Sequence, residues 1–384
     1  MVSAFPALDT MVDRIREATA HGTPLRLCGG GTKDFYGDAA EGETLDTRAL
    51  SGVTSYEPSE LFVTVRAGTP LAELEATLAE KGQCLPFEPP HFAAGGTVGG
   101  MVAAGLAGPA RANLGSVRDY VLGATLVNGR GEVLTFGGQV MKNVAGYDVS
   151  RVLAGSRGTL GLLAEVSLKV LPHMPAETTL RFGCSQTEAL ALLHGWGGRP
   201  LPLNASAWLE EHGEGVLYLR LRGAVAAVEA ASTQLGGKRV VDAAGRWSAL
   251  RHQHLAWFGN GDGDADSLDL WRLSVPQTAP VLALDEIPLV EWHGGQRWYR
   301  AVPGASARMR AAARAAGGHA TLFRASAPSA HEPRFDAVSP VLERIQRALK
   351  KEFDPASIFN RPISAGRTVQ SAVPPLPPPT ALTR

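Results

Sequence analysis

Three runs of small residues hold most of the chemistry this sequence can do: CGGGTKDFYG at 28–37, GGTVGGMVAAGLAG at 95–108 and GSRGTLG at 155–161. A glycine has no Cβ, so its N–H can approach a phosphate or a flat ring that any side chain would hold away. Gly29, Gly30 and Gly31, followed by Thr32, make a turn whose amides and hydroxyl suit a pyrophosphate. Gly95, Gly96, Gly99 and Gly100 surround Thr97 where an apolar helix begins, and the positive end of a helix dipole favours the same charge. The first run is not the Rossmann fingerprint, because Asp34 stands where the third glycine should be. Together the turns read as a holder for a large phosphorylated cofactor, and their spacing points to FAD.

Strands and helices must position these turns. Leu8, Met11, Val12 and Ile15 fall at helical spacing, with Gly22 as the stop, and LRLC (25–28) is a strand running into the first turn. LFVTVRAG (61–68) is a second strand. Thr69 is expected to cap the next helix with Pro70 at its first position and Leu71, Leu74 and Leu78 buried. VLGATLVNGRGEVLTF (121–136) alternates around Asn128-Gly129 and predicts a hairpin; GLLAEVSLKVLP (161–172) predicts another strand. After about residue 173 the glycine turns thin out. Strand-like TTLRF, GVLYLRL, WRLSV and RWYRAV alternate with helical stretches, which fits an α+β unit on an antiparallel sheet. A helix over 338–352, striped by Val341, Leu342, Ile345 and Leu349, precedes FDPASIFN, and the Pro-rich tail from 368 is expected to be disordered.

Composition narrows the function classes. Lys plus Arg and Asp plus Glu are 37 each, so no global charge favours nucleic acid or anionic lipid. The basic run Arg344, Arg347, Lys350, Lys351 reads as a solvated helix face. Cys28, Cys84 and Cys184 are too few and too scattered for a cluster or zinc site, and their odd number suits a reducing compartment. The N-terminus shows no signal-peptide pattern, and no apolar run reaches the roughly 20 residues that span a bilayer. The expectation is a cytoplasmic protein, peripheral on a membrane only through partners. No metal is expected: His252 and His254 stand alone, and the acidic run with Asp262, Asp264 and Asp266 lacks the glycine and glutamate of an EF-hand, having Ser267 and Leu273 there.

The order of the motifs is more telling than any one of them. GGGT, a strand–AG–helix unit, TVGG, RDYVLG (118–123), KN-x-x-GYD (142–148) and GS-x-GTLG follow one another over residues 1–175. This series resembles the FAD-binding domain of the vanillyl-alcohol oxidase, or p-cresol methylhydroxylase (PCMH), type. Further on, EWHGGQRWYRA (291–301) and GGHATLFR (317–324) resemble the FAD-binding subunits of bacterial glycolate oxidase (glycolate dehydrogenase). The resemblance implies an α+β fold: a two-lobed FAD-binding PCMH-type domain (1–175), an α+β cap (176–330), a C-terminal segment returning to the flavin (331–367) and the tail (368–384). It also implies that Gly29, Gly30, Gly31, Thr32 and Lys33 form the first pyrophosphate loop. Pro89 and Gly96, Thr97, Val98, Gly99 and Gly100 would line the pyrophosphate and the dimethylbenzene side. Gly105, Asn113 and Gly115 would follow the flavin edge, with Arg118 anchoring that loop. Gly158, Thr159, Leu160 and Gly161 would lead to the adenine near Leu163, and Asn360 would close the site. Covalent members carry a His in the first loop. Thr32-Lys33 stand there instead, so the FAD is expected to be noncovalent, with His91 a remote attachment point.

The same resemblance implies oxidation of glycolate or a similar 2-hydroxy acid. Its implied partners are a larger FAD-containing subunit and an iron–sulfur subunit. Such a substrate needs a cation for its carboxylate and a base for its hydroxyl. Arg297, His319 and Arg324, in the two cap motifs, are the candidates. A stand-alone hydroxy-acid or alcohol oxidoreductase and a non-catalytic flavin-holding subunit stay open as alternatives.

Overall fold

The computed structural model describes residues 5–138, 148–259, 267–329 and 332–362. Residues 142–147 of KN-x-x-GYD, the acidic positions Asp262, Asp264 and Asp266, and the Pro-rich tail lie outside the described residues.

The chain begins with the expected helix, Pro6–His21, which buries Met11, Val12, Ile15 and Ala18 and stops at Gly22, left-handed at φ 66°. Leu25–Cys28 pairs in parallel with Glu43–Asp46, and a parallel bridge from Leu25 to Phe359 brings the C-terminal segment alongside. Ile358 and Phe359 therefore pack in the same core as Ile15, Leu25 and Leu45.

An antiparallel five-stranded sheet follows, in the order Val53–Glu57, Phe62–Arg66, Leu162–Lys169, Val121–Val127, Val133–Gly137. Helices Leu71–Ala79 and Val98–Ala104 cover it through Leu71, Leu74, Leu78, Met101 and Val102. Two local expectations need correction. Pro70, not Thr69, occupies the cap position, and the Thr69 hydroxyl instead accepts from the Gly52 N–H at 2.9 Å. The hairpin turn is longer than a two-residue Asn-Gly turn: Asn128 N–H donates to the Glu132 carbonyl, and Gly131 takes the positive φ of 70°. The Asn128 side-chain oxygen occupies the turn by accepting from Arg130 and Glu132 N–H.

The cap is one antiparallel eight-stranded sheet, in the order Lys238–Val240, Ala176–Gly183, Glu214–Gly223, Leu203–Glu211, Leu289–Glu291, Gln296–Ala301, Asp269–Ser274, His319–Arg324. Successive side chains on a strand point to opposite faces. One face, with Ala207, Tyr218, Leu270, Leu289 and Trp298, packs on the N-terminal half through Phe35, Tyr36, Phe92 and Leu106. The other, with Leu217, Leu219, Trp271 and Tyr299, is covered by helices Gln186–Gly197, Val225–Leu235 and Ser306–Ala315. This parity decides which side chains can face the cofactor half.

Helix Pro340–Phe353 forms where the stripe predicts it, with the Ser339 hydroxyl accepting from Leu342 N–H. Its apolar face is not buried as the pattern implies. Val341, Leu342 and Ile345 are exposed, and only Leu349 and Phe353 reach the core.

Candidate functional site

The first glycine turn leaves strand Leu25–Cys28 and faces the second at close range. A Cβ on Gly30 would sit 1.7 Å from the Gly95 carbonyl oxygen, and one on Gly29 would sit 2.3 Å from the Thr97 hydroxyl. Beside the two turns opens a cavity of about 360 Å³. Gly29, Gly30, Gly31, Thr32, Lys33, Thr97, Gly99, Gly100, Gly158, Thr159, Gly161, Leu163 and Asn360 all line it.

Donors are unevenly shared between the turns. The N–H groups of Gly30, Gly31, Thr32 and Lys33 find no acceptor among the described residues. The helix start is different: Val98 N–H bonds to the Thr69 carbonyl, Gly99 N–H to the Ala67 carbonyl at 2.6 Å, and Gly100 N–H to the Thr97 hydroxyl. The expected contribution of these helix amides to phosphate binding is therefore corrected, since all three are already bonded. Gly99 is needed because a Cβ there would meet Ala67 at 2.7 Å, so the helix start gives shape, while the N–H groups of Gly95, Gly96 and Thr97 just before it, like those of the first turn, find no acceptor among the described residues.

A cradle of unbonded amide donors with a cation at its rim suits a diphosphate. Lys33 supplies that cation. Burial pushes its pKa down to about 8, and it has no carboxylate partner among the described residues. Its amine reaches the Thr32 hydroxyl and lies 5.8 Å from the centre of the Phe92 ring.

The C-terminal segment holds two walls together. The Asn360 side chain accepts from Leu27 N–H and donates to the Arg157 carbonyl, each at 2.7 Å, so it clamps the first strand to the third glycine turn. Asp354, fully buried, accepts from Ile358 and Phe359 N–H and pairs with Lys350, whose amine also donates to the Thr159 carbonyl.

Several expected positions stand away from the cavity lining. Val98 and Leu160 are buried in the core, Gly105 is a left-handed helix cap against Gly155, and Gly96 faces Thr32. Arg118 donates to the Ala154 carbonyl and braces that segment. The Pro89 carbonyl accepts from Arg251. Gly115, left-handed at φ 81°, abuts Asp119, and Asn113 bonds to His293 and the Asn204 carbonyl of the cap. His91 is held by Glu75 and by His252 and does not line the cavity.

The three cap candidates separate by face. Arg297 shares the parity of Tyr299, so it points to the helix side. It is fully buried there, donating to the carbonyls of Gly294, Pro280 and Ala279, and it is corrected to a structural residue. His319 opens the edge strand opposite Ser274 and is exposed. A register shift between Leu270 and Trp271 pairs Leu270 with Arg324 and brings Arg324 onto the face toward the FAD-binding half. Its guanidinium stacks 4.6 Å from the Phe35 ring centre and has no ion pair among the described residues.

The sequence reading missed Arg157, Tyr36 and Asp38, which also line the cavity. Arg157 is the variable position of GS-x-GTLG. It sits at φ 54°, with its guanidinium 4.0 Å from the Phe335 ring centre. A large cation inside a glycine turn was the available signal.

Fold and cavity together define a flavin-binding oxidoreductase of the PCMH type. A family model described as FAD binding domain matches residues 7–137. The chain is 42% identical, over 91% of its length and 95% of the relative's, to glycolate oxidase subunit GlcE of Escherichia coli (strain K12), and it belongs to that family. It is 31% identical over 41% of its length, and 33% of the relative's, to glycolate oxidase subunit GlcD of Bacillus subtilis (strain 168). A D-2-hydroxyglutarate dehydrogenase of Xanthomonas citri pv. viticola is 26% identical over 67% of this chain and 57% of its own. Among solved structures, alkyldihydroxyacetonephosphate synthase shares the fold at TM-score 0.64 and 15% identity, covering 92% of this chain and 75% of that one. The protein is an FAD-linked oxidoreductase. Among the described residues no helix is long and apolar enough to cross a membrane, and no three His, Cys, Asp or Glu side chains gather as a metal site.

Proposed function

We propose that this chain is the FAD-holding subunit of a complex that oxidises glycolate to glyoxylate. Electrons leave through the flavin to an iron–sulfur partner, and a larger FAD-containing subunit completes the assembly. The observation that carries this reading is the near full-length likeness to a glycolate oxidase subunit, combined with a cavity whose unbonded amides suit a dinucleotide phosphate. Gly30, Gly31, Thr32 and Lys33 would hold the diphosphate. Asn360 and Lys350 keep the third turn in place, and the wall from Gly158 to Leu163 would take the nucleoside. Bound there, FAD supplies the two-electron acceptor for the oxidation. Thr32 and Lys33 offer no imidazole at the first loop, which supports noncovalent attachment. A cytoplasmic site, peripheral to the membrane through the partner subunits, fits a chain with three dispersed thiols.

The test is co-expression with candidate large and iron–sulfur subunits from the same genome. The complex should co-purify and bleach its flavin on anaerobic addition of glycolate. A chain that purifies alone, and reduces its flavin with glycolate unaided, would instead make it a stand-alone enzyme.

A further inference from the structure

A short helix is marginal in water by itself, and a protein holds it by burying one of its faces. Helix Pro340–Phe353, 14 residues long, departs from that rule over most of its length. Residues 340–348 are all exposed. Only the last turn is seated, through Leu349 and Phe353 on the core and through Lys350 on the Thr159 and Phe359 carbonyls. What supports the first turns is slight and local: the Ser339 cap, Pro340 at the first position and the Glu343–Arg347 pair.

The exposed turns are nevertheless patterned. At about 100° per residue, Val341, Leu342, Ile345 and Ala348 share one arc, which continues the line of the seated Leu349. Val341, Leu342 and Ile345 are 56, 52 and 49% exposed, and Val338, just before the cap, is 41% exposed. The other large exposed apolar side chains among the described residues are scattered over different strands, helices and loops. Along one edge of the arc runs a basic row, Arg344, Arg347 and Lys351. Arg347 is paired with Glu343, while Arg344 and Lys351 have no carboxylate partner among the described residues.

Charge decides between the possible occupants. The chain beyond Pro362 carries Arg367 and Arg384 and no Asp or Glu, so it cannot answer the basic row. A second copy brings the same row: antiparallel packing sets like edge on like edge, and parallel packing sets the row against Gln346 and Lys350. A lipid surface would have to bury Glu352, which stands two turns on from Ile345 on the same line, and the arc offers no aromatic anchor. We propose that the arc seats in an apolar groove of a partner subunit, edged by a row of Asp or Glu side chains that pair with Arg344 and Lys351. This docking rests on the proposed function for the identity of that subunit.

The test is co-expression of the full chain with the candidate large and iron–sulfur subunits from the same genome, with assembly titrated at low and high salt. Leu342→Glu combined with Ile345→Glu should weaken assembly about 30-fold. Arg344→Glu combined with Lys351→Glu should weaken it about tenfold and flatten its salt dependence. Val241→Glu, at a side chain 85% exposed on another loop, should change nothing. Circular dichroism and flavin content serve to show that each variant is folded. Both double variants assembling like the unaltered chain would overturn the docking alone. Failure of the unaltered chain to assemble with either subunit would overturn the partners of the proposed function and the docking with them. Three further outcomes would give the face to another occupant and overturn the proposal. One is binding to phosphatidylglycerol vesicles that Ile345→Glu abolishes, and another is a dimer of the chain alone that the same substitution breaks. The third is alkylation of Ile345→Cys that speeds up when the chain is ended at Pro362.

Discussion

With its amine buried and no carboxylate beside it, Lys33 titrates near pH 8 in the free protein. A bound phosphate favours the charged form, so FAD binding above that pH must take up a proton. FAD affinity should therefore fall about tenfold per pH unit above pH 8. Lys33→Met should remove that slope and weaken binding at pH 7, as fluorescence titration would report. The glycines give a second prediction. Gly30→Val should leave no retained flavin, because its Cβ alone would collide with the Gly95 carbonyl before any phosphate is involved. A variant with wild-type absorbance at 450 nm per chain would show that the two turns do not meet. The glycine turns were legible in the sequence because a missing side chain is visible there. The roles inside them were not: the amides of Val98, Gly99 and Gly100 are taken by partners 3 to 32 residues distant along the chain. Arg297 was misread for a related reason. Its strand is buried on both faces, so alternation gives no hint of which parity meets the cofactor half.

Between elements, the cavity depends on what ties the C-terminal return to the first strand and the third turn. Asn360 bonds to Leu27 on one and Arg157 on the other, so Asn360→Ala should loosen both walls at once. The expected result is at least a tenfold loss of FAD affinity and about 2 kcal/mol of stability, seen by titration and by denaturant unfolding. Unchanged affinity would mean that the walls hold without the clamp. FDPASIFN was readable as a returning segment, since Asp354 can bond the amides of a turn that follows a helix. The register shift at Leu270/Trp271 was not, because a bulge arises from the pairing of two strands and neither strand announces it. The stripe of helix Pro340–Phe353 predicted the helix and misjudged its burial. Periodicity reports that one face is apolar, and leaves open what that face meets.

The two halves of the molecule are joined by Glu88, which accepts from Arg220 at 2.7 and 2.8 Å and from Arg222 across the interface. Burial raises the Glu88 pKa, but the two guanidiniums outweigh it and hold the carboxyl ionised. Glu88→Gln leaves Arg220 buried and uncompensated, which should cost about 3–5 kcal/mol and lower the Tm by roughly 5 °C. Buried Glu291 sets a slope of the opposite kind. Its folded pKa of about 7 lies above its ordinary value of 4.5, so its contribution is complete below pH 4.5 and is lost as pH rises through 7. His252 and His293, pushed down by burial to about 4, contribute above their ordinary 6.5 and lose that as pH falls toward 4. Glu291→Gln should flatten the alkaline side by about 3 kcal/mol between pH 4.5 and 8 and leave the acid side unchanged. We propose that the unbonded amides of residues 30–33 hold FAD without a covalent link. It is tested most directly by stripping the purified chain of flavin in acid, refolding it and titrating with FAD. Saturation at one FAD per chain is expected, with all colour released again on acid precipitation. A chain that stays colourless at saturating FAD, or a precipitate that stays yellow, would contradict it.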